Sequence, residues 1–242
     1  IMGSAAVGAL AYTFSDSFWF SASEGEVYAM SSLFTAAVFW AILKWDAVSS
    51  EKHSVRWIVL IAYLIGLSIG VHLLNLLAIP AMVFLYYFKT RELDLKNIGI
   101  AGFFSVLFLG IVQFGIIPGT YSVAAKFELL VVNVMGMAFN SGVIAYFIVV
   151  AGLLAFGLYY TQKNGKVLMN TALLCLPLIL VGYSTYTVIL VRSAANPPMD
   201  ENNPENVFSL LSYLNREQYG DTPFLVGQSF ASELDTREPY IE

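Results

Sequence analysis

The sequence predicts an all-α fold, that of a polytopic helical membrane protein, and three observations carry that prediction. Apolar runs near 20 residues recur along the 242-residue chain, the length a helix needs to cross a bilayer. Only 12% of the residues are charged against 58% hydrophobic, and mean hydropathy is +0.71, whereas a soluble domain carries about 25% charged residues. Eight of the twelve basic residues (Lys44, Lys52, Arg56, Lys89, Arg91, Lys96, Lys163, Lys166) fall in three short loops, the pattern of the cytoplasmic side. The net charge of −5 says little by itself, because the charges are partitioned along the chain. Cys175 is the one cysteine, which excludes an intrachain disulfide or a cysteine metal cluster.

The spans follow in order. Residues 1–14 are rich in Gly and Ala, which suits close helix packing. They lack the basic start of a signal peptide and read as the second half of a membrane helix, so the chain is expected to be a piece of a longer protein. A short polar and aromatic connection, 15–26, leads to a span over 27–45. The apolar stretch 57–88 has basic residues on both flanks and must return to the side it left. It is therefore a hairpin of two arms, 57–71 and 73–88, bent around Gly70 to Asn75. An arm of roughly 15 residues rises only ~22 Å, less than the ~30 Å hydrocarbon core. Such a bend lies within the membrane and is tolerated where protein or a water-filled cavity covers it, so a cavity beside His72 and Asn75 is expected.

Further spans are expected over 98–117, 143–161 and 168–190. Between the first two, Lys126, Asn133 and Asn140 recur every seven residues, which predicts an interfacial amphipathic helix over 120–140. Residues 1–191 thus form a transmembrane domain. Residues 192–242 form a polar segment on the opposite, outer side, the start of a further domain. Within it Val207, Leu210, Leu211 and Leu214 make one apolar stripe, with Asn203 expected as N-cap, Pro204 at the first helical position and Gly220 past the end.

Thirteen of the seventeen acidic residues fall on that outer face, so polar chemistry is sought there. Glu24 and Glu26, with Asp16 upstream, precede the span that starts at Val27, and Tyr28 stands beside them. They are either interfacial carboxylates favoured by the helix dipole, or groups facing the cavity that bind a metal, orient a hydroxyl or accept a proton. His72 and Asn75 either satisfy the backbone at the bend or donate hydrogen bonds to a phosphate or sugar. Arg192 either snorkels to lipid head groups or grips a phosphate, with Asn196-Pro197-Pro198 building an extended turn after it.

GEVYAM opening a span, GVHLLNLLAIPA at the bend, RSAANPPMDENNPEN after the last span and YLNREQYGDTPF downstream resemble the DUF2723 family. That bacterial family is common in Bacteroidetes and related to a eukaryotic transmembrane O-mannosyltransferase. The resemblance implies a GT-C-like bundle and transfer of a sugar from a polyprenyl-phosphate carrier to a periplasmic acceptor, a protein or glycan. It implies placement in the bacterial inner membrane, among membrane lipids, with no nucleic-acid partner. Glu26 or Glu24 would then position the acceptor or a metal, His72 and Arg192 would hold the lipid phosphate, and Asn75 the sugar, with Tyr28 and Asn196 also lining the substrate. A divalent metal is left open as a cofactor. Family members begin with a span and an acidic outer loop of the Asp-Cys-Gly-Glu type, so the main catalytic carboxylate is expected upstream of residue 1. A transporter with broken helices and a non-catalytic membrane scaffold are the competing readings.

Overall fold

The computed structural model describes residues 1–89, 91–220 and 227, and the expected outer segment beyond 220 lies, but for Gly227, outside them. The described residues are helical throughout, joined by short turns: α1 (Met2–Thr13), α2 (Asp16–Ser23), α3 (Val27–Val48), α4 (Val55–Ile69), α5 (Ala78–Phe88), α6 (Leu95–Gly110), α7 (Ile117–Leu129), α8 (Ser141–Lys163), α9 (Val167–Tyr183), α10 (Val188–Ser193) and α11 (Val207–Asn215). Among the described residues, four uninterrupted helical stretches are long and apolar enough to cross a membrane: Val27–Val48, Leu95–Val134, Ser141–Lys163 and Val167–Ser193. The chain is an all-α, multi-pass membrane protein.

Glycine sets the closest crossing. α4 packs most extensively along α9, and a Cβ added to Gly66 would meet the Ile179 carbonyl oxygen at 2.3 Å. One added to Gly182 would meet the Leu67 nitrogen and the Tyr63 carbonyl at 2.6 Å. Small residues permit such backbone approach where lipid offers no hydrophobic drive for helix association. Gly70 beside Thr185 continues the register upward, so α4 and α9 run parallel. The Lys163–Lys166 turn therefore lies at the same end of the bundle as Lys52 and Arg56.

α3 runs parallel to the segment 72–89. The Tyr28 and His72 rings meet at one end, 5.6 Å apart. At the other, Trp45 stacks on Tyr86 at 5.4 Å and Lys89 pairs with Asp46 at 2.5 Å while also donating to its backbone oxygen at 2.9 Å. The buried core of Val38, Ala41, Ile42, Ile61, Ile65 and Ile79 fills the space between.

Several expectations need correction. The polar and aromatic connection expected over 15–26 contains a helix, α2, held to α1 by Tyr12 against Phe18 at 4.5 Å. α1 itself has 12 residues, a rise of about 18 Å. No separate helix starts at 120, because the helix that begins at Leu95 continues unbroken to Val134. Pro118 opposes that continuation, since proline lacks an N–H and crowds the carbonyl four residues back. The chain instead widens into a π turn over Ile111–Ile116, which spreads the backbone where the proline ring enters. Tyr121, Ala124, Ala125, Glu128 and Val131 form the buried stripe of the continuation, with α8 and α11 against that helix, while Lys126 and Asn133 stay exposed.

α11 carries the apolar stripe of the outer segment, with Leu210 fully buried and Val207 nearly so, against α7. Its N-cap is Asn206, not Asn203. The Asn206 side chain accepts from the Phe208 and Ser209 backbone N–H groups at 3.0 and 3.1 Å, and Ser209 Oγ accepts from the Asn206 N–H at 3.2 Å. This reciprocal box outcompetes Asn203, whose carbonyl Oδ1 accepts instead from Ser193 Oγ at 3.2 Å. Pro204 accordingly precedes the helix rather than opening it. The helix ends at Asn215 with Arg216 left-handed (φ 59), four residues before Gly220.

Candidate functional site at the broken hairpin

The hairpin breaks between Ile69 and Leu73. Gly70 caps α4, and His72 adopts extended backbone before a 3-10 turn over Leu73–Leu77 that feeds α5. His72 Nδ1 accepts the Leu74 backbone N–H at 3.1 Å. That bond fixes the ring's chemistry: a neutral imidazole accepting at Nδ1 carries its proton on Nε2. His72 thus presents a hydrogen-bond donor, and it is only half-buried. Tyr28, 53% exposed, stands against it from α3.

The carboxylates lie on the turn that enters α3. Glu24 ends α2, Gly25 reverses the chain at φ +72, and Glu26 is the N-cap of α3. Neither α3 nor α2 takes a side-chain cap, so both glutamates are exposed and free to meet a ligand. Asp16 is the first residue of α2, after the N-cap Ser15. Glu26 and Tyr28 share the first turn of α3, which places a carboxylate, a phenol and an imidazole donor around one end of the bundle.

Asn75, expected beside a cavity, is buried. It is 1% exposed, and its amide donates to Ser68 Oγ at 2.9 Å, which in turn donates to the Ile65 carbonyl at 2.7 Å. A buried amide must find partners or bear the full cost of desolvation, and the end of α4 supplies one. Two of the clefts among the described residues have linings that include neither His72 nor Asn75. One is lined by Asp46, Phe84, Leu85, Phe88 and Lys89. The other, of about 280 Å³, holds Arg192, Asp200, Glu201 and Tyr213 over an apolar floor that includes Ile189 and Pro204.

The cleft that holds Arg192 is lined by neither Tyr28 nor His72. The Arg192 loop is folded tightly: buried Ser193 donates to Asp200 Oδ2 at 2.8 Å. Asn196 departs from the extended turn expected before a proline. It is left-handed at φ 49, with its N–H donating to the Ser193 carbonyl at 2.8 Å, and it shapes the loop rather than lining the cleft. Among the described residues no group of three or more His, Cys, Asp or Glu side chains converges as a metal site.

Sequence reasoning missed Glu128. This carboxylate is 1% exposed and accepts the backbone N–H groups of Asn140 and Val143, the latter at 3.0 Å. It caps α8 from the side. The repeat of Lys126, Asn133 and Asn140 drew the eye to the exposed face, and the buried acid fell between its members.

Residues 1–95 match the model of the family described as the protein O-mannosyl-transferase TMEM260 N-terminal domain. No curated protein and no solved structure matches the chain. The matched stretch holds Glu24, Glu26, Tyr28, His72 and Asn75, whereas Arg192 and Asn196 lie beyond it. In its first 95 residues, the part that carries the carboxylate turn and the broken hairpin, this multi-pass membrane protein is similar to an O-mannosyltransferase domain.

Proposed function

We propose that the chain belongs to a membrane glycosyltransferase that moves a sugar from a polyprenyl-phosphate carrier to a hydroxyl of an acceptor protein or glycan. The observation that carries this reading is the family match over residues 1–95, which spans both the Glu24–Tyr28 turn and the His72 break. In the reaction the acceptor oxygen bonds to the anomeric carbon while that carbon's bond to the lipid phosphate breaks. The hydroxyl proton passes to a base, and the leaving phosphate needs donors. His72, held as an Nε2–H donor, suits the phosphate, and exposed Glu26, with Glu24 beside it, suits orientation of the acceptor hydroxyl. Arg192 offers a bidentate guanidinium for a phosphate or sugar bound in its own cleft. The acidic end of the bundle would face the periplasm and the basic loops the cytoplasm.

The test uses the full-length protein in lipid vesicles with a radiolabelled polyprenyl-phosphate sugar. Glu26→Ala, His72→Asn and Arg192→Ala, made singly, are expected to lower transfer at unchanged protein level. Undiminished transfer by all three would remove the assignment. Mass spectrometry of envelope glycoproteins with and without the gene would identify the acceptor.

A further inference from the structure

We propose that Ser31 and Asn75 together hold one buried water molecule, which pins the broken hairpin to α3. Both residues are 1% exposed. Both keep a polar atom, Ser31 Oγ and Asn75 Oδ1, that has no protein partner among the described residues. They come from different elements, and the register of the bundle brings them level. Tyr28 meets His72 and Asp46 meets Lys89, pairs separated by 44 and 43 residues in sequence. Ser31 and Asn75 are likewise 44 apart. Ser31 follows Tyr28 by three residues on an α-helix, and so shares its face. Asn75 lies in the 3-10 turn that His72 caps, three residues further on, and that turn packs against α3. One step below the Tyr28–His72 contact, the hydroxyl and the amide oxygen therefore face the same seam.

The chemistry of the two atoms selects the guest. Asn75 gives its amide N–H to Ser68, so the orphan Oδ1 can only accept. Ser31 can donate or accept. A group that donates to Asn75 and exchanges a second hydrogen bond with Ser31 satisfies both, and water does so in the least volume. The water then extends a chain from Ser31 through Asn75 and Ser68 to the Ile65 carbonyl, tying α3, the 3-10 turn and α4 into one polar seam. Asn75 is in this account a positioning residue for His72, three residues above it, rather than a sugar contact. The inference is independent of the reaction assigned to the protein.

A structure of the full-length protein in lipid nanodiscs, at a resolution that shows ordered water, tests it. One density about 2.6–3.2 Å from both Ser31 Oγ and Asn75 Oδ1 is expected, and its loss in Ser31→Ala. Direct contact of the two side chains, a dry seam, a cation bound by further oxygens, or a density that persists in Ser31→Ala would each overturn it. Hydrogen exchange reads the pinning separately. In Ser31→Ala the amides of Leu73–Leu77 should exchange several-fold faster while those of α8 stay unchanged, and unchanged exchange at the turn would contradict the role.

Discussion

Glu128 Oε2 accepts the backbone N–H of Val143 at 3.0 Å, so a carboxylate on α7 serves as the cap of α8. Its other oxygen takes the N–H of Asn140, a residue in left-handed conformation at φ 69 that offers α8 no side-chain cap of its own. A helix N-terminus leaves N–H groups unpaired and favours negative charge, and Glu128 meets both needs from a neighbouring helix. Glu128→Ala should cost about 1–3 kcal/mol for each donor left unpaired, and Glu128→Gln less. Thermal unfolding in detergent would show it; an unchanged midpoint in Glu128→Ala would contradict the cap.

The α4–α9 crossing should be equally sensitive. Gly66→Ala and Gly182→Ala press a methyl into backbone atoms, which cannot move aside as a flexible side chain would. Each should destabilise by about 1–3 kcal/mol or more. Gly152→Ala, with nothing within 4 Å of its added Cβ, should be neutral or slightly stabilising, since alanine is the better helix former. Equal midpoints for all three variants would refute the close crossing.

How much of this was readable beforehand depended on whether a feature is local. The start of α3 at Val27 and the break after Gly70 rest on composition and on proline, glycine and charge signals within a few residues. The continuation through Pro118 did not, because a π turn accommodates the ring and only the tertiary fit of Tyr121, Ala124 and Glu128 rewards continuing. At α11 the apolar stripe was legible, but Asn203 and Asn206 are equally good caps by type. Choosing between them required knowing that Asn203 is engaged by Ser193. In the candidate site, His72 and Tyr28 could be singled out as polar or aromatic residues near a break. Their contact, and the burial of Asn75, are long-range facts that depend on the register of α3 against the segment 72–89.

α11 offers a simpler check on the segment after the last span. Asn206→Ala should cost about 1 kcal/mol, and Leu210→Ala about 2–5 kcal/mol, read as loss of protease resistance between residues 194 and 220. If neither variant is cleaved faster, α11 is not docked on α7 as described.

Acid should loosen the end of that helix. Glu217 accepts from Ser212 Oγ at 2.7 Å and from Asn215 Nδ2 at 3.3 Å, and these bonds hold its carboxyl below the ordinary value of 4.5. Between the lowered and the ordinary pKa the unfolded chain binds more protons than the folded one, so stability rises with pH there. The contribution is fully present above the ordinary pKa and lost as pH drops through the folded one. Glu217→Gln should abolish that pH dependence in amide exchange of Tyr213–Arg216; a variant that keeps it would assign the effect elsewhere.

The central claim is sugar transfer supported by a His72 donor at the broken hairpin, and His72→Asn tests it most directly. Asparagine can still accept the Leu74 N–H and keep the 3-10 turn, but it is shorter and cannot place a donor where Nε2–H stands. In vesicles containing the full-length protein and a polyprenyl-phosphate sugar, the wild type should transfer sugar. His72→Asn should fold normally and transfer about 10²–10³-fold more slowly, as for loss of one positioned donor. A wild type that transfers no sugar, or a folded His72→Asn variant at full rate, would contradict the account.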